Sequence, residues 1–192
     1  MLIGEGFAGA APNAAHINLL LGAKDGPMGT AYAVAAASPS QGHMPFQVVL
    51  KPGVPVEPPT LFIAKATLRN PAHETMTWGP AQMGVAAGVT RAVLDSVLPP
   101  EARLHWVAIA CAWVHWDADD VDAVFANNRD AALTAARVAM QPSRISLDEL
   151  RQALESQGNA FYTRVADLLE NGDEQGAGFG DAGALKCRAD GG

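Results

Sequence analysis

Cysteine is scarce in this chain. Cys111 lies in an apolar run and Cys187 near the C-terminus, too few and too far apart for a disulfide framework or a thiolate metal site. Such usage suits a reducing cytoplasm. Charge is scarce as well: 17% of residues are charged, with no run of Lys or Arg, and the formal net charge is −7. A chain of that balance lacks the basic track that a phosphate backbone requires, so nucleic acid is not an expected partner. No apolar stretch approaches the roughly 18 residues of a membrane span, and the N-terminus has no basic region followed by a signal-like segment. The expectation is a soluble cytoplasmic protein without membrane contact. No two of the five histidines stand four apart on a helical stretch, and none pairs with cysteine at ligand spacing, so no metal site is expected. No internal repeat is found.

What is present is apolar. With 49% hydrophobic residues over 192 positions, the chain can bury a substantial core as one domain. Low charge combined with abundant Ala and Gly suggests that apolar surface is covered by other subunits, and an oligomer is expected.

The most informative stretch is Ala14–Gly22. It is strand-length and apolar apart from His16 and Asn18, which lie two residues apart and therefore leave the same face of a strand. Before it, Leu2 to Glu5 reads as the tail of a first strand, with Gly4, Gly6 and Gly9 supplying flexible backbone for a hairpin entry. Met28 to Ala37 is small and apolar without a clean period, leaving helix and strand both open. Phe46 to Leu50, which contains Gln47, reads as a buried strand, and the Pro-rich Lys51–Pro59 as a rigid extended connection. Thr60 to Leu68 reads as a strand that points Lys65 and Thr67 the same way.

Asn70-Pro71 has the form of a helix cap followed by Pro at the first helical position. Pro80 must break, kink or restart that helix, which places Gln82 in a restarted first turn. Val85, Val89, Val93 and Val97 form one buried stripe of a helix over Val85–Leu98. Leu104 to Trp116 is the most hydrophobic strand candidate and is expected to be central. Asp117, Asp119 and Asp120 precede a long Ala-rich helix, Val121–Met140, with Val124, Phe125, Ala132, Ala136 and Val138 expected inward. Ser146–Glu149 is a capping-box pattern opening a further helix, a second stripe runs through Phe161, Val165, Leu168 and Leu169, and a Gly-rich flexible tail is expected from Asn171.

Several landmarks occur together and in order: Gly4-Glu5, Ala15-His16-Ile17, Gly22, Pro52, Pro55, Pro58, Thr60-Leu61, Lys65, Thr67, Gly79-Pro80-Ala81-Gln82, Gly84-Val85-Ala86 and His115-Trp116. On these residues the chain resembles the formaldehyde-activating enzymes from about Leu2 to Met140. The resemblance implies an α/β fold, an α+β sandwich of the ribosomal protein S5 domain 2-like class with a left-handed βαβ crossover. It also implies a homopentamer with sites between subunits. Three regions are thus expected: the family-like domain over 1–140, a C-terminal helical extension over 141–170, and the tail over 171–192.

The activity implied is condensation of formaldehyde with tetrahydromethanopterin, a co-substrate, to methylene-tetrahydromethanopterin and water. Carried over by position, His16 matches the family's proton donor, and Lys65, Thr67 and Gln82 match pterin-contacting residues of the same type. Asn18 and Gln47 fall at contact positions where the family carries Asp and Leu. An imidazole suits the chemistry, because the carbinolamine formed from amine and formaldehyde must lose its hydroxyl as water, and His exchanges protons near neutral pH. The alternative is a paralogue that binds or senses reduced pterin or formaldehyde with little turnover, suggested by Asn18 and Gln47.

Overall fold

The computed structural model describes residues 1–141 and 145–156, which fall in two compact units, Met1–Pro142 and Ser143–Gly192. The first unit is a mixed α/β structure built on a five-stranded sheet. Its strands are β1 (Leu2–Ala8), β2 (Ala15–Ala23), β3 (Phe46–Gln47), β6 (Thr60–Ala64) and β7 (Trp106–Val114), in the order β1-β2-β7-β6-β3. A separate two-stranded ribbon pairs β4 (Val49–Lys51) with β5 (Val54–Pro55). β6 and β7 run parallel and every other pair in the large sheet is antiparallel. Parallel neighbours need a long crossover, supplied here by α2 (Pro71–Met76), a π-turn (Thr77–Ala81), α3 (Gln82–Leu94) and α4 (Ala102–His105).

The two faces of the sheet are dressed differently. Ala15, Ile17, Leu19 and Leu21 of β2 are fully buried against α3 and α5 (Val121–Met140), together with Val85, Val89, Ala131 and Ala135. On the opposite face, α1 (Pro27–Ala37) covers one end of the sheet, packing Met28 and Tyr32 over Leu20, Leu61, Val107 and Ile109. The remainder of that face, around His16, stays open to partial solvent contact. β7 is the third of the five strands, as its composition predicts, with one face buried under helices and the other covered by α1 at one end only, where Val107 and Ile109 lie.

The helical layer sits unusually close to β1. Gly4 and Gly6 are buried within that strand, and a Cβ at either position would overlap the carbonyl oxygen of Ala135 or Ala131 on α5. β1 therefore runs on to Ala8, and its glycines serve helix contact where a turn was expected. The same contact explains the inward face of α5, which is made of Ala131, Ala132, Ala135, Ala136 and Ala139 with Val124. Val138, expected inward, is 42% exposed because it lies off the i, i+4 row that faces the glycines.

Other boundaries move for identifiable reasons. The segment left open between helix and strand is α1, begun by Pro27 at its first turn. β6 stops at Ala64, four residues short of the expected end, and the Ala64 carbonyl accepts from His43 Nδ1 at 2.7 Å. Pro80 falls in a π-turn that accommodates its missing N–H within the helical run from Pro71 to Leu94, and α3 starts at Gln82, in the first turn where it was expected. α3 ends at Leu94, where Ser96 adopts a positive φ of 57° and the Val97 and Leu98 amides both return to the Ala92 carbonyl. Asn70 and Asp120 act as the expected caps, accepting from the amides of His73 and Ala123.

In the second unit, α6 (Leu147–Ser156) opens on the expected capping box. Ser146 donates its amide to the Glu149 carboxylate at 2.7 Å, and the Glu149 amide donates to Ser146 Oγ at 3.2 Å. The expected second stripe through Phe161, Val165, Leu168 and Leu169 and the tail from Asn171 lie outside the described residues. Among the described residues no helix is long and apolar enough to cross a membrane.

Gly6→Ala is expected to destabilise the fold by about 1–3 kcal/mol, since α5 must move to admit the methyl group. Urea denaturation checks this: a midpoint equal to the parent's would refute the close-contact role.

Candidate functional site

The open face of the sheet is ordered by register. Phe7, His16 and Trp113 form one row across β1, β2 and β7, and Glu5, Asn18, Cys111 and Ile63 form the next, extended across β6. A third row, Ile3, Leu20, Ile109 and Leu61, ends at Gln47 on β3. His16, Asn18 and Gln47 thus share one face, with Gln47 exposed at its far edge.

Lys65 joins this face from the end of β6. Its amide donates to the Ala112 carbonyl at 2.8 Å, which holds the backbone against β7 as the strand ends. Its ammonium nitrogen lies 3.0 Å from His16 Nδ1 and donates to Asn18 Oδ1 at 2.8 Å. On the far side of the ring, His16 Nε2 lies 2.5 Å from Glu5 Oε1. With Lys65 donating to Nδ1, the ring carries its hydrogen on Nε2 and presents it to the Glu5 carboxylate.

Four side chains from three strand segments therefore form one hydrogen-bonded string, Asn18–Lys65–His16–Glu5. Its members differ in cover, with His16 16% exposed at the side chain and Glu5 62%. Burial pushes the Lys65 ammonium below the ordinary lysine range, opposed by Cys111 and Glu5. Burial likewise raises the Cys111 thiol, opposed by Lys65. Cys111 therefore stays a neutral thiol, adding no charge to the string.

The other expected contact residues stand apart from it. Thr67 lies beyond the end of β6, past the bend at Lys65–Ala66, so it does not share a strand face with Lys65; its hydroxyl bonds His43 Nε2 at 3.2 Å. Since His43 Nδ1 donates to the Ala64 carbonyl, Nε2 is the acceptor, and Thr67 gives it its hydrogen. Gln82 opens α3, half-buried, in the layer that packs on the opposite face of the sheet from His16. Within one chain, His16, Asn18 and Lys65 are hydrogen-bonded together, while Gln47, Thr67 and Gln82 lie outside that string.

Glu5 and His43 were not expected at the site. Glu5 was legible in principle: once Leu2–Ala8 pairs with Ala15–Ala23, the residue opposite Asn18 is a carboxylate. His43 comes from a loop distant in sequence, and no local pattern marks it. Among the described residues, no group of three or more His, Cys, Asp or Glu is gathered in a way that could hold a metal ion.

A second imidazole cluster borders the site beyond Trp113. His73 is buried in α2, accepts the Arg69 amide on Nδ1 and donates from Nε2 to the Val114 carbonyl at 3.0 Å. His115 accepts the Asp117 amide on Nδ1 at 3.0 Å and stacks on Trp116 with ring centroids 4.5 Å apart. The Arg69 guanidinium covers Trp116 at 4.0 Å. Burial is the main cause that lowers the pKa of both imidazoles, and Arg69 adds to it. In both rings Nδ1 is occupied as an acceptor by a backbone amide, and at His115 the Asp117 carboxylate, 3.9 Å from Nδ1, works against the lowering.

Comparison with known proteins adds a family to this geometry. The sequence profile of the formaldehyde-activating enzymes matches residues 3–161, extending past the point near Gln141 where the resemblance was expected to end. The chain is 34% identical over 160 residues to the 5,6,7,8-tetrahydromethanopterin hydro-lyase of Methanosarcina barkeri, covering 83% of this chain and 89% of that one. It is 39% identical over 140 residues to the bifunctional enzyme Fae/Hps of Methanothrix thermoacetophila, covering 73% of this chain and 36% of that one. The Fae/Hps protein of Archaeoglobus fulgidus gives 36% identity over 140 residues, with 73% and 34% covered. The chain spans about a third of the length of these bifunctional relatives.

The neutral pair His73 and His115 carries a pH consequence. An unfolded chain protonates its histidines below about pH 6.5, whereas the folded state resists that proton, so stability is fully present above that pH and declines below it. The urea midpoint is expected to be lower at pH 5.5 than at pH 7.5 and to lose part of that dependence in His73→Gln; an unchanged dependence would count against the role of this imidazole.

Proposed function

Because the chain belongs to the formaldehyde-activating enzyme family, we propose that it condenses formaldehyde with tetrahydromethanopterin to methylene-tetrahydromethanopterin and water, with His16 as the proton donor. The observation that carries the reading is the Asn18–Lys65–His16–Glu5 string on the open face of the sheet.

The residues divide the chemistry as follows. A pterin nitrogen adds to formaldehyde without help, giving a carbinolamine whose hydroxyl is a poor leaving group until protonated. His16 delivers that proton from Nε2, and water departs. The resulting iminium is then closed by the second pterin nitrogen. General acid assistance of this kind contributes on the order of 10²- to 10⁴-fold. Holding formaldehyde and pterin together adds proximity, for which Lys65, Thr67, Gln47, Asn18 and Gln82 offer the hydrogen-bonding groups.

Gln82 also bears on assembly. It belongs to the layer across the sheet from His16, so a pterin held by both is gripped by two copies of the chain. Sites between subunits of a homopentamer meet that requirement, and apolar Ile3 and Phe7, 58% and 45% exposed beside Glu5 on edge strand β1, offer surface for such a contact.

Asn18 shapes the reaction through Lys65. Its neutral carboxamide oxygen orients the ammonium without the added attraction that a carboxylate would exert.

The test is the rate of methylene-tetrahydromethanopterin formation with protein, with His16→Ala, and with no protein. The protein is expected to exceed the spontaneous rate and His16→Ala to lose about 10²-fold or more; equality of protein and blank would reject the enzyme. In the same assay Asn18→Asp is expected to alter turnover or pterin affinity, and no change in either would remove Asn18 from the site.

A further inference from the structure

We infer that Lys65 and His16 hold one proton in excess of the neutral pair, and that Lys65 supplies through His16 Nδ1 the proton that His16 delivers from Nε2. The inference deepens the condensation reaction proposed above and rests on it for its catalytic half.

Neutral imidazole is a poor acid, since giving up its single N–H leaves an imidazolate. A histidine that donates near neutral pH must either start as imidazolium or gain a proton on one nitrogen while losing it from the other. His16 has the second route built in. Nδ1 faces the Lys65 ammonium at 3.0 Å, and Nε2 faces the open side of the sheet and Glu5. When both partners are protonated, lysine and histidine offer only donors to each other and cannot form this bond. The hydrogen-bonded pair therefore holds its proton either as ammonium with imidazole or as amine with imidazolium.

The surroundings bring those two forms closer in energy. Half-burial lowers the proton affinity of Lys65 below the ordinary lysine range. The Glu5 carboxylate faces Nε2, and Asn18 holds Nζ in line from its other side at 2.8 Å without a charge of its own. The groups facing the pair are Glu5 from β1, Asn18 from β2 and Cys111 from β7, with Tyr32 of α1 packed on the same patch as Cys111. Burial keeps both the Cys111 thiol and the Tyr32 phenol protonated and uncharged, leaving Glu5 as the one anion among them.

Protons and electrons balance. The carbinolamine C–O bond breaks with its electron pair on oxygen, which takes the Nε2 proton and leaves as water. Nδ1 takes a proton from Lys65 Nζ as this happens, so the ring ends neutral with its hydrogen on Nδ1 and lysine ends as the free amine. Ring closure by the second pterin nitrogen releases one proton. Glu5, largely exposed on the edge strand, is placed to return a proton to Nε2, after which Nδ1 gives its own back to Lys65.

Two substitutions test this. Lys65→Arg keeps charge and donors but cannot release a proton near neutral pH, and Lys65→Met, of similar length, removes the proton altogether. In protein labelled with ¹⁵N-histidine, His16 of the parent is expected to change protonation or tautomer in step with Lys65. That step should vanish in both variants. His16 titrating identically in all three proteins would overturn the shared proton. In the condensation assay Lys65→Arg is expected to lose about 10²-fold in kcat with KM little changed. A raised KM with unaltered kcat would show instead that Lys65 only grips the pterin. If the parent shows no condensation, the proposed function fails, while the ¹⁵N titration still decides the shared proton.

Discussion

Alternation along β2 governs this structure. Ala15, Ile17, Leu19 and Leu21 are completely buried beneath α3 and α5, and the pleat obliges His16, Asn18 and Leu20 to face the other way. A one-residue slip would drive the imidazole into an apolar core and expose four large or close-packed residues, so the register is held by the hydrophobic term itself. With β2 paired on both edges, that register passes to β1 and β7 and sets Glu5, Cys111 and Trp113 beside the two polar side chains. The hydrogen-bonded string is thus a consequence of core packing on the opposite face.

The helical layer makes the pleat rigid. Glycine at positions 4 and 6 and alanine along one row of α5 let a twenty-residue helix lie almost on the backbone of β1. Such close contact leaves little room for relaxation, and a layer packed this way transmits its position to the strand carrying Glu5. The open face is different. α1 covers one end with small residues and Met28, leaving the other for the polar rows. One sheet thereby carries a dry face packed under helices and a half-covered face that holds its polar side chains.

Electrostatics follows from that partial cover. A lysine in full solvent would remain an ammonium and serve as a point charge; half-buried, Lys65 is held below the ordinary lysine range. The neighbouring His73 and His115 show the opposite use of burial. Each is neutral, each has both its role and its orientation fixed by backbone groups, and together with Arg69 and Trp116 they brace the end of β7. Imidazole thus stands in a hydrogen-bonded string on the open face and in a buried brace beside the end of β7.

Much of this was legible in the sequence. Period-two alternation around His16 and Asn18, the caps at Asn70 and Asp120, the capping box at Ser146 and the central apolar strand all arise from local rules, and local rules survive folding. Where reading stopped short, the deciding partner was remote. At the end of β6 the Ala64 carbonyl is taken by His43, twenty-one residues away. Gly4 and Gly6 look like turn residues until α5, more than a hundred residues on, is laid against them. Val138 looks inward until the Ala row is seen to face those glycines. The motifs that carry the family resemblance determined the family and, through it, the class of fold, and strand alternation determined the face that carries His16. Only the tertiary structure decided that Lys65 meets His16 and Asn18, that Glu5 closes the string and that Thr67 answers to His43. The physical reason is that hydrogen bonds between distant segments depend on the register and the close approach of layers, and neither is written in any local stretch of the chain.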